Sequence, residues 1–311
     1  MNPRTHAAVF LLAAALCGAT VQAQPLHGDD VWTRTFERWR PNFFNPGNYY
    51  TWSRARTDFN GWRPLFWASG LSVLEKRGRI VGAAERGNVL RVKYPAGKFG
   101  SADSGVSFPW LLRGRYQELT LRYRVRFEDG FLFTTSGKLP GICGANDDLG
   151  CFRYTGGNPP NGDDGFSVRP VWLDADGLVG SYVYHGGQAG EFGDIFVWYH
   201  ANGEPVRFVR GQWHTLQIRV RLNDPGIENG EVEASFDDEP VSLVSHLHFR
   251  NDTEAGRAIR INEVYFNTFH GGRHPEDAPP QTQYADFDEL QLFAAPHATA
   301  VTEATPGTPI E

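Results

Sequence analysis

Residues 119–127 read Leu-Thr-Leu-Arg-Tyr-Arg-Val-Arg-Phe, with every odd position apolar and every even position polar. Side chains of a β-strand alternate between faces, so this spacing buries one face and solvates the other; a helix would scatter the same residues around its axis. A second run repeats the pattern, because Leu216, Ile218, Val220 and Leu222 alternate with Gln217, Arg219 and Arg221. Further strand candidates occupy residues 89–94, 131–138, 165–172, 181–185, 195–199, 231–236, 259–269 and 283–293. Gly, Pro, Asn and Asp separate them, and no long helical period intervenes. That combination predicts an all-β chain, an antiparallel sandwich of two sheets. The 14% aromatic content and single Met agree, since rings suit pleated surfaces better than helical bundles.

The ends read differently. Residues 1–23 carry one basic residue, Arg4, then a largely apolar run over 7–19 and a small-x-small pattern at Val21-Gln22-Ala23. This predicts a signal peptide, and with it a secreted or periplasmic protein. The apolar run is shorter than the ~20 residues of a bilayer span, so no membrane span is expected. Residues 24–87 hold Trp32, Trp39, Trp52, Trp62 and Trp67 and are expected to pack on the sandwich. Their rings could stack on sugars, although burial against the sheets is the commoner use. Residues 88–293 form the main domain, and residues 294–311, rich in Ala, Thr and Pro, read as a flexible tail. Cys17 falls within the signal, which leaves Cys143 and Cys151 as an isolated pair expected to form a disulfide in an oxidising compartment.

The formal net charge of −6 argues against nucleic acid as a partner. No HExxH, GxSxG, P-loop or GxGxxG pattern occurs, which removes zincins, α/β-hydrolases and nucleotide enzymes. Asp286 and Asp288 share a strand face and could serve a glycoside hydrolase, though a solvated face is the simpler reading. Asp147, Asp148, Asp163 and Asp164 match no calcium-loop template, so turn chemistry is expected there and no metal or other cofactor is called for. His246 and His248 share a face without a third ligand and read as surface residues; His185 alternates away from its tyrosine neighbours. Arg122, Arg124 and Arg126 form a stripe that either lines an anionic-sugar groove or is solvated.

Three strand candidates carry a more informative set. Lys138 ends one, Ser167 and Arg169 share a face of the next, and Tyr182 and Tyr184 share a face of the third. Cations, a hydroxyl and phenols on one surface suit removal of a proton beside a carboxylate, where a cation stabilises the enolate-like anion and a phenol moves the proton.

These residues lie in segments that resemble polysaccharide lyase family 14. They are Gly137-Lys138-Leu139-Pro140-Gly141, Gly165-Phe166-Ser167-Val168-Arg169, and Tyr182-Val183-Tyr184-His185-Gly186-Gly187-Gln188 running into Gly193-Asp194. The likeness continues through Asn267-Thr268-Phe269-His270-Gly271-Gly272 and Tyr284-Ala285-Asp286-Phe287-Asp288, with His270 where a second Phe is usual. The resemblance implies a β-jelly roll that cleaves a polyuronate, alginate or glucuronan, by β-elimination, with an anionic polysaccharide as partner and a monomeric state. It carries Lys138, Ser167, Arg169, Tyr182 and Tyr184 over as active-site positions. Arg169 and Lys138 are expected to neutralise the uronate, Tyr184 to move the proton, and Tyr182 and Ser167 to orient the sugar. Gln188, Asn267 and Thr268 are expected contacts to sugar hydroxyls. The competing functions are a non-catalytic carbohydrate-binding protein and a jelly-roll glycoside hydrolase.

Overall fold

A computed structural model describes residues 29–59, 76–148 and 150–294. The expected signal peptide, most of the expected tail, Trp62 and Trp67 lie outside them. In chain order the strands are β1 (Asp29–Arg34), β2 (Gly78–Ala83), β3 (Gly87–Tyr94), β4 (Val106–Tyr116), β5 (Glu118–Phe127), β6 (Gly137–Lys138), β7 (Gly141–Ala145) and β8 (Gly165–Trp172). There follow β9 (Val179–Tyr184), β10 (Asp194–Val197), β11 (Trp213–Arg221), β12 (Gly230–Phe236), β13 (Glu239–Leu247), β14 (Arg260–His270) and β15 (Gln283–Ala294). Short helices α1 (Trp52–Asp58), α2 (Gly100–Asp103) and α3 (Glu254–Ala258) join them.

Every pairing between the strands is antiparallel, and the strands form the two sheets of a jelly-roll sandwich. The larger runs β13-β12-β11-β5-β15-β3-β2, with β1 also on β15; the smaller runs β10-β9-β8-β6-β14-β4, with β7 between β14 and β8. The two alternating runs that define the sequence, in β5 and β11, lie side by side, with Leu121 opposite Ile218 and Arg122 opposite Gln217. Their apolar residues face the core and their arginines face out. Between the sheets, Phe127, Phe131, Phe133, Trp172 and Phe208 contact one another ring to ring, the kind of packing that carries most of a core's burial energy.

The amino-terminal segment does more than lie on the sandwich, since β1 and β2 extend the larger sheet. Trp32 is packed, with its ring centroid 3.9 Å from that of Trp110 and 5.4 Å from that of Phe59. The Trp39 indole donates to Asp58 Oδ2 at 2.8 Å. Both are therefore building material for the sheet edge rather than free platforms.

The strands that matter for chemistry break the alternation. All residues of β8 and β9 are buried, on both faces. One face meets the core through Val168, Trp172 and Val183, and the other lies under the loop that follows the Cys143–Cys151 disulfide. Two glycines allow this closeness: a Cβ on Gly141 would stand 2.1 Å from the Val168 carbonyl oxygen, and one on Gly137 would stand 1.8 Å from the Trp172 indole. The Gly-Lys-Leu-Pro-Gly segment is thus pressed against β8, and Lys138 is fixed by that contact.

Candidate active site

The register of the smaller sheet assembles the site. Tyr182 pairs with Arg169 across β9 and β8, Ser167 pairs with Tyr184, and Lys138 pairs with Phe269 on β14. Their side chains emerge on the outer face, where Lys138, Arg169, Tyr182, Tyr265, Asn267 and Arg273 line a cleft of about 250 Å³. No Asp or Glu is among the described residues lining it.

Tyr182 is the centre of this arrangement. The Lys138 Nζ lies 4.5 Å from its ring centroid and the Arg169 Cζ 5.6 Å from it. Burial, and then the neighbouring Arg169 charge, pushes the Lys138 ammonium down to about 7, because two cations share a poorly solvated space. Arg169 is lowered by burial as well but stays charged at neutral pH, as guanidinium groups do. The Tyr182 phenol is raised, chiefly by burial and then by its hydrogen bond with Tyr184, so it stays protonated.

Arg169 is held in place by a relay on β14 and β4. Its Nη1 donates to Asn267 Oδ1 at 3.0 Å, Asn267 Nδ2 donates to Ser107 Oγ at 2.8 Å, and Ser107 Oγ donates to the Tyr265 hydroxyl at 3.0 Å. The relay leaves Arg169 Nε, although buried, without a partner among the described residues. A buried charged N–H without an acceptor is costly, which marks this guanidinium as incompletely neutralised within the fold.

The sequence-derived set therefore divides into layers. Lys138, Arg169, Tyr182 and Asn267 reach the cleft. Tyr184 is 0% exposed against 8% for Tyr182. Its hydroxyl lies 3.1 Å from that of Tyr182 and accepts the Gly157 N–H at 3.1 Å. Ser167 Oγ donates to the Tyr154 carbonyl at 2.9 Å. The rung that pairs Ser167 with Tyr184 is hydrogen-bonded to the 150–157 loop through Tyr154 and Gly157, whereas the rung of Arg169 and Tyr182 opens into the cleft that Thr155 and Gly156 of that loop help to line. Tyr182, rather than Tyr184, is thus the phenol that meets the cleft.

Two further residues are placed elsewhere. Thr268 alternates with Asn267, so it points into the core and hydrogen-bonds the Tyr94 hydroxyl. Gln188 closes a turn, accepting from the His185 N–H at 3.1 Å and donating to the Gly190 carbonyl at 2.9 Å. His270, the departure from the family pattern, also faces the core, where burial pushes it down to about 3 and keeps it neutral.

Tyr265, Phe192 and Arg273 line the cleft without having been singled out in the sequence. Tyr265 was discoverable, because it stands two residues before Asn267 on the same strand face. Arg273 follows a Gly-Gly turn and packs over the Phe192 ring at 4.2 Å, a contact between loops that has no local signature.

The alternatives raised by the sequence fall away from the cleft. Asp286 and Asp288 lie on the larger sheet, where Arg91 and Arg126 pair with Asp286. Asp147 pairs with Arg153, and Asp148 with Arg115 at 2.7 Å. Asp164 Oδ1 caps the Asn161 and Gly165 N–H groups, as turn chemistry requires. Cys143 and Cys151 are bridged; with Glu263 they make up the one group of potential metal ligands among the described residues, and the bridge occupies both sulfurs. No described helix is long and apolar enough to cross a membrane.

Comparison with known proteins agrees with this geometry. Residues 83–290 match the family model described as Polysaccharide lyase 14. Among solved structures, the marine PL-14 alginate lyase from Aplysia kurodai is similar with a TM-score of 0.66 and 20% identity, over 85% of this chain and 99% of that one. A doubly substituted alginate lyase, Aly36B, in complex with alginate trisaccharide gives 0.66 and 21%, over 85% and 97%. The alginate lyase vAL-1 from Chlorella virus gives 0.56 and 19%, over 70% and 88%. At such identities these structures establish the shared fold. No curated protein matches the chain at a significant level. The family match spans well over half of the sequence and contains every residue of the cationic cleft, so the chain belongs to polysaccharide lyase family 14 and is a polysaccharide lyase.

Proposed function

We propose that the substrate is a polyuronate of the alginate or glucuronan class and that cleavage is a β-elimination leaving a 4,5-unsaturated sugar. The observation that carries this reading is a cleft with Lys138 and Arg169 flanking Tyr182 and no carboxylate among its described lining. A glycosidase needs two carboxylates about the bond, and none is there. A uronate supplies the missing negative charge itself. Solved relatives with the same fold are alginate lyases, one of them in complex with alginate trisaccharide.

The roles follow from the shifted acidities. The uronate carboxylate pairs with the Arg169 guanidinium that lines the cleft, and charge pairing there stabilises the anion that develops when C5 loses its proton. Lys138, near 7, is available as a neutral amine and takes that proton. The C5–H electron pair becomes the C4–C5 double bond, the C4–O bond breaks, and the leaving oxygen takes the proton of the Tyr182 phenol. Lys138, whose Nζ lies 4.5 Å from the Tyr182 ring centroid, then returns its proton to the phenolate. The raised pKa of Tyr182 keeps the phenol protonated, which favours protonation of the leaving oxygen over abstraction of the C5 proton, the two roles left open for a phenol. Tyr184 and Ser167 act by holding the loop and the Tyr182 hydroxyl. Export by the 1–23 leader belongs to the same reading, since polyuronates are extracellular polymers.

The test is incubation of the purified protein with polymannuronate, polyguluronate and polyglucuronate while the absorbance of a conjugated unsaturated uronate is followed. New reducing ends without that absorbance would identify a hydrolase. Binding without either product would identify a carbohydrate-binding protein.

A further inference from the structure

The outer face of the larger sheet carries a second concavity, of about 370 Å³, lined by Lys76, Arg77, Arg79, Arg91, Lys93 and Tyr284, with Val81 at its edge. Five cations converge in a chain whose net charge is −6, and no described lining residue is acidic. Strand register explains the crowding. Arg79 on β2 is directly opposite Arg91 on β3, and Lys93 is opposite Tyr284 on β15. Like charges facing each other across an antiparallel pair are destabilising, so this arrangement costs stability that two apolar or oppositely charged residues would not.

Internal partners account for only part of the charge. Arg91 makes two bonds to Asp286, at 2.7 and 2.9 Å, but Asp286 is shared with Arg126. Arg77 donates to the Gly105 carbonyl at 3.3 Å, and Arg79 to the Tyr49 hydroxyl at 2.7 Å, both neutral acceptors. Lys76 and Lys93 form no ion pair with a described residue. Lys76 and Arg79 are exposed, Arg77, Arg91 and Lys93 are half-buried, and the Arg91 guanidinium lies 5.9 Å from the Tyr284 ring centroid.

We infer that this pocket is a second binding site for the acidic polysaccharide, separate from the catalytic cleft and on the other sheet. The inference rests on the polyuronate reading above. A uronate polymer offers one carboxylate per sugar, and a chain running across β2, β3 and β15 meets cations set by the strand spacing of about 4.8 Å. Tyr284 adds an apolar face for a pyranose ring. A membrane surface is a poorer fit, because interfacial anchoring needs protruding apolar side chains and Val81 is the only aliphatic residue here. Nucleic acid is disfavoured by the overall negative charge. A polymer held at this pocket is presented to the cleft at raised effective concentration, which favours long chains over short ones.

The test compares the wild type with the K76E/K93E double variant and with R79Q, none of which touches the cleft. With long alginate or glucuronan the KM should rise about tenfold at unchanged kcat, and added salt should abolish the difference. With tetrasaccharides, too short to bridge both sites, the variants should match the wild type. In calorimetry, K138A protein should bind two tetrasaccharides, and the K138A/K76E/K93E protein one. If the wild type cleaves no polyuronate, the functional reading fails, while the calorimetric stoichiometry still decides the second site. A stoichiometry of one in K138A, an unchanged polymer KM in the variants, or tighter binding of anionic lipid vesicles or duplex DNA at this pocket would overturn the inference.

Discussion

The two outer faces of the sandwich use the same residue types to opposite ends. On the larger sheet, arginines project from β5 and β11 into water, and each meets an acid: Arg122 with Asp238, Arg124 with Glu289, Arg126 with Asp286, Arg219 with Glu118 and Arg221 with Glu231, all at 2.8 Å. Each of these guanidinium groups has a counter-charge, and solvent screens the pairs. On the smaller sheet, Lys138 and Arg169 project beneath loops with no acid among the described residues around them. Their charges are expensive there, and the cost appears as lowered pKa values. Reactivity in this molecule comes from a cation being covered and left without a counter-ion. The alternating stripe of Arg122, Arg124 and Arg126, equally eligible from sequence, is neutralised instead.

The strongest way to break that comparison is to remove the covered cation. Lys138→Ala should lower kcat by 10²-fold to about 10⁴-fold, the usual range for losing a general base, while thermal stability holds or rises. Lys138→Arg should be nearly as inactive, because a guanidinium cannot give up its proton near neutral pH. Substantial turnover in either variant would remove Lys138 from proton transfer and return that role to a phenol.

The two tyrosines sharpen the distinction between facing the cleft and supporting it. Tyr182→Phe keeps the ring and removes the proton donated to the leaving oxygen, so turnover should fall by roughly 10²-fold with binding retained. Tyr184→Phe removes hydrogen bonds to Gly157 and to Tyr182, so it should cost about 1 kcal/mol of stability and no more than about tenfold in rate. A reversed ranking would show that the proton travels through Tyr184.

The sequence made the strands legible because alternation is a local signal: Leu119 to Phe127 cannot satisfy both faces any other way. It also showed which residue types meet, since Lys138, Ser167, Arg169, Tyr182 and Tyr184 lie in ordered segments that match a family. It could not show depth. Whether Tyr182 or Tyr184 meets the cleft depends on where the 150–157 loop crosses β9, and that crossing is fixed by a disulfide, by Ser167 and by Gly157 together. Parity alone should have set Thr268 apart from Asn267, for adjacent strand residues point to opposite faces. Arg273 reaches the cleft from a loop and leaves no periodic trace.

Changing pH should act on turnover through the covered face, while Asp288 on the larger sheet, raised to about 7 by burial, titrates away from the cleft. The amine that accepts the proton is Lys138, lowered to about 7, so its active neutral form grows as pH rises through 7. Below that point kcat/KM should fall by about tenfold per pH unit, because the protonated ammonium cannot act as base. The profile should level off above it, since raised Tyr182 remains protonated. A rate that falls as pH rises from 6 to 8 would contradict the assignment. Reducing the Cys143–Cys151 bridge has a smaller effect and a different target. In the chain-entropy model a loop this short loses about 2–3 kcal/mol of stability, and the loss should loosen the 150–157 loop and slow turnover without unfolding the sandwich.

The smallest expected effect tests the solvated face. Arg124 forms an ion pair with Glu289 at 2.8 Å, and both side chains retain roughly a third of their exposure. A pair open to water gains little Coulomb energy, loses side-chain entropy when it forms, and is screened by salt, so Arg124→Ala should cost less than about 1 kcal/mol in denaturant unfolding. Its turnover and its pH profile should match those of the wild type, because the residue projects from the opposite sheet to the cleft. The measurement is nonetheless decisive for the contrast drawn here. A drop in kcat with Arg124→Ala, or a shift of the rise near pH 7, would mean that charge on the larger sheet reaches the reacting groups through the core. Covering and the missing counter-ion would then not be enough to explain what sets Lys138 apart.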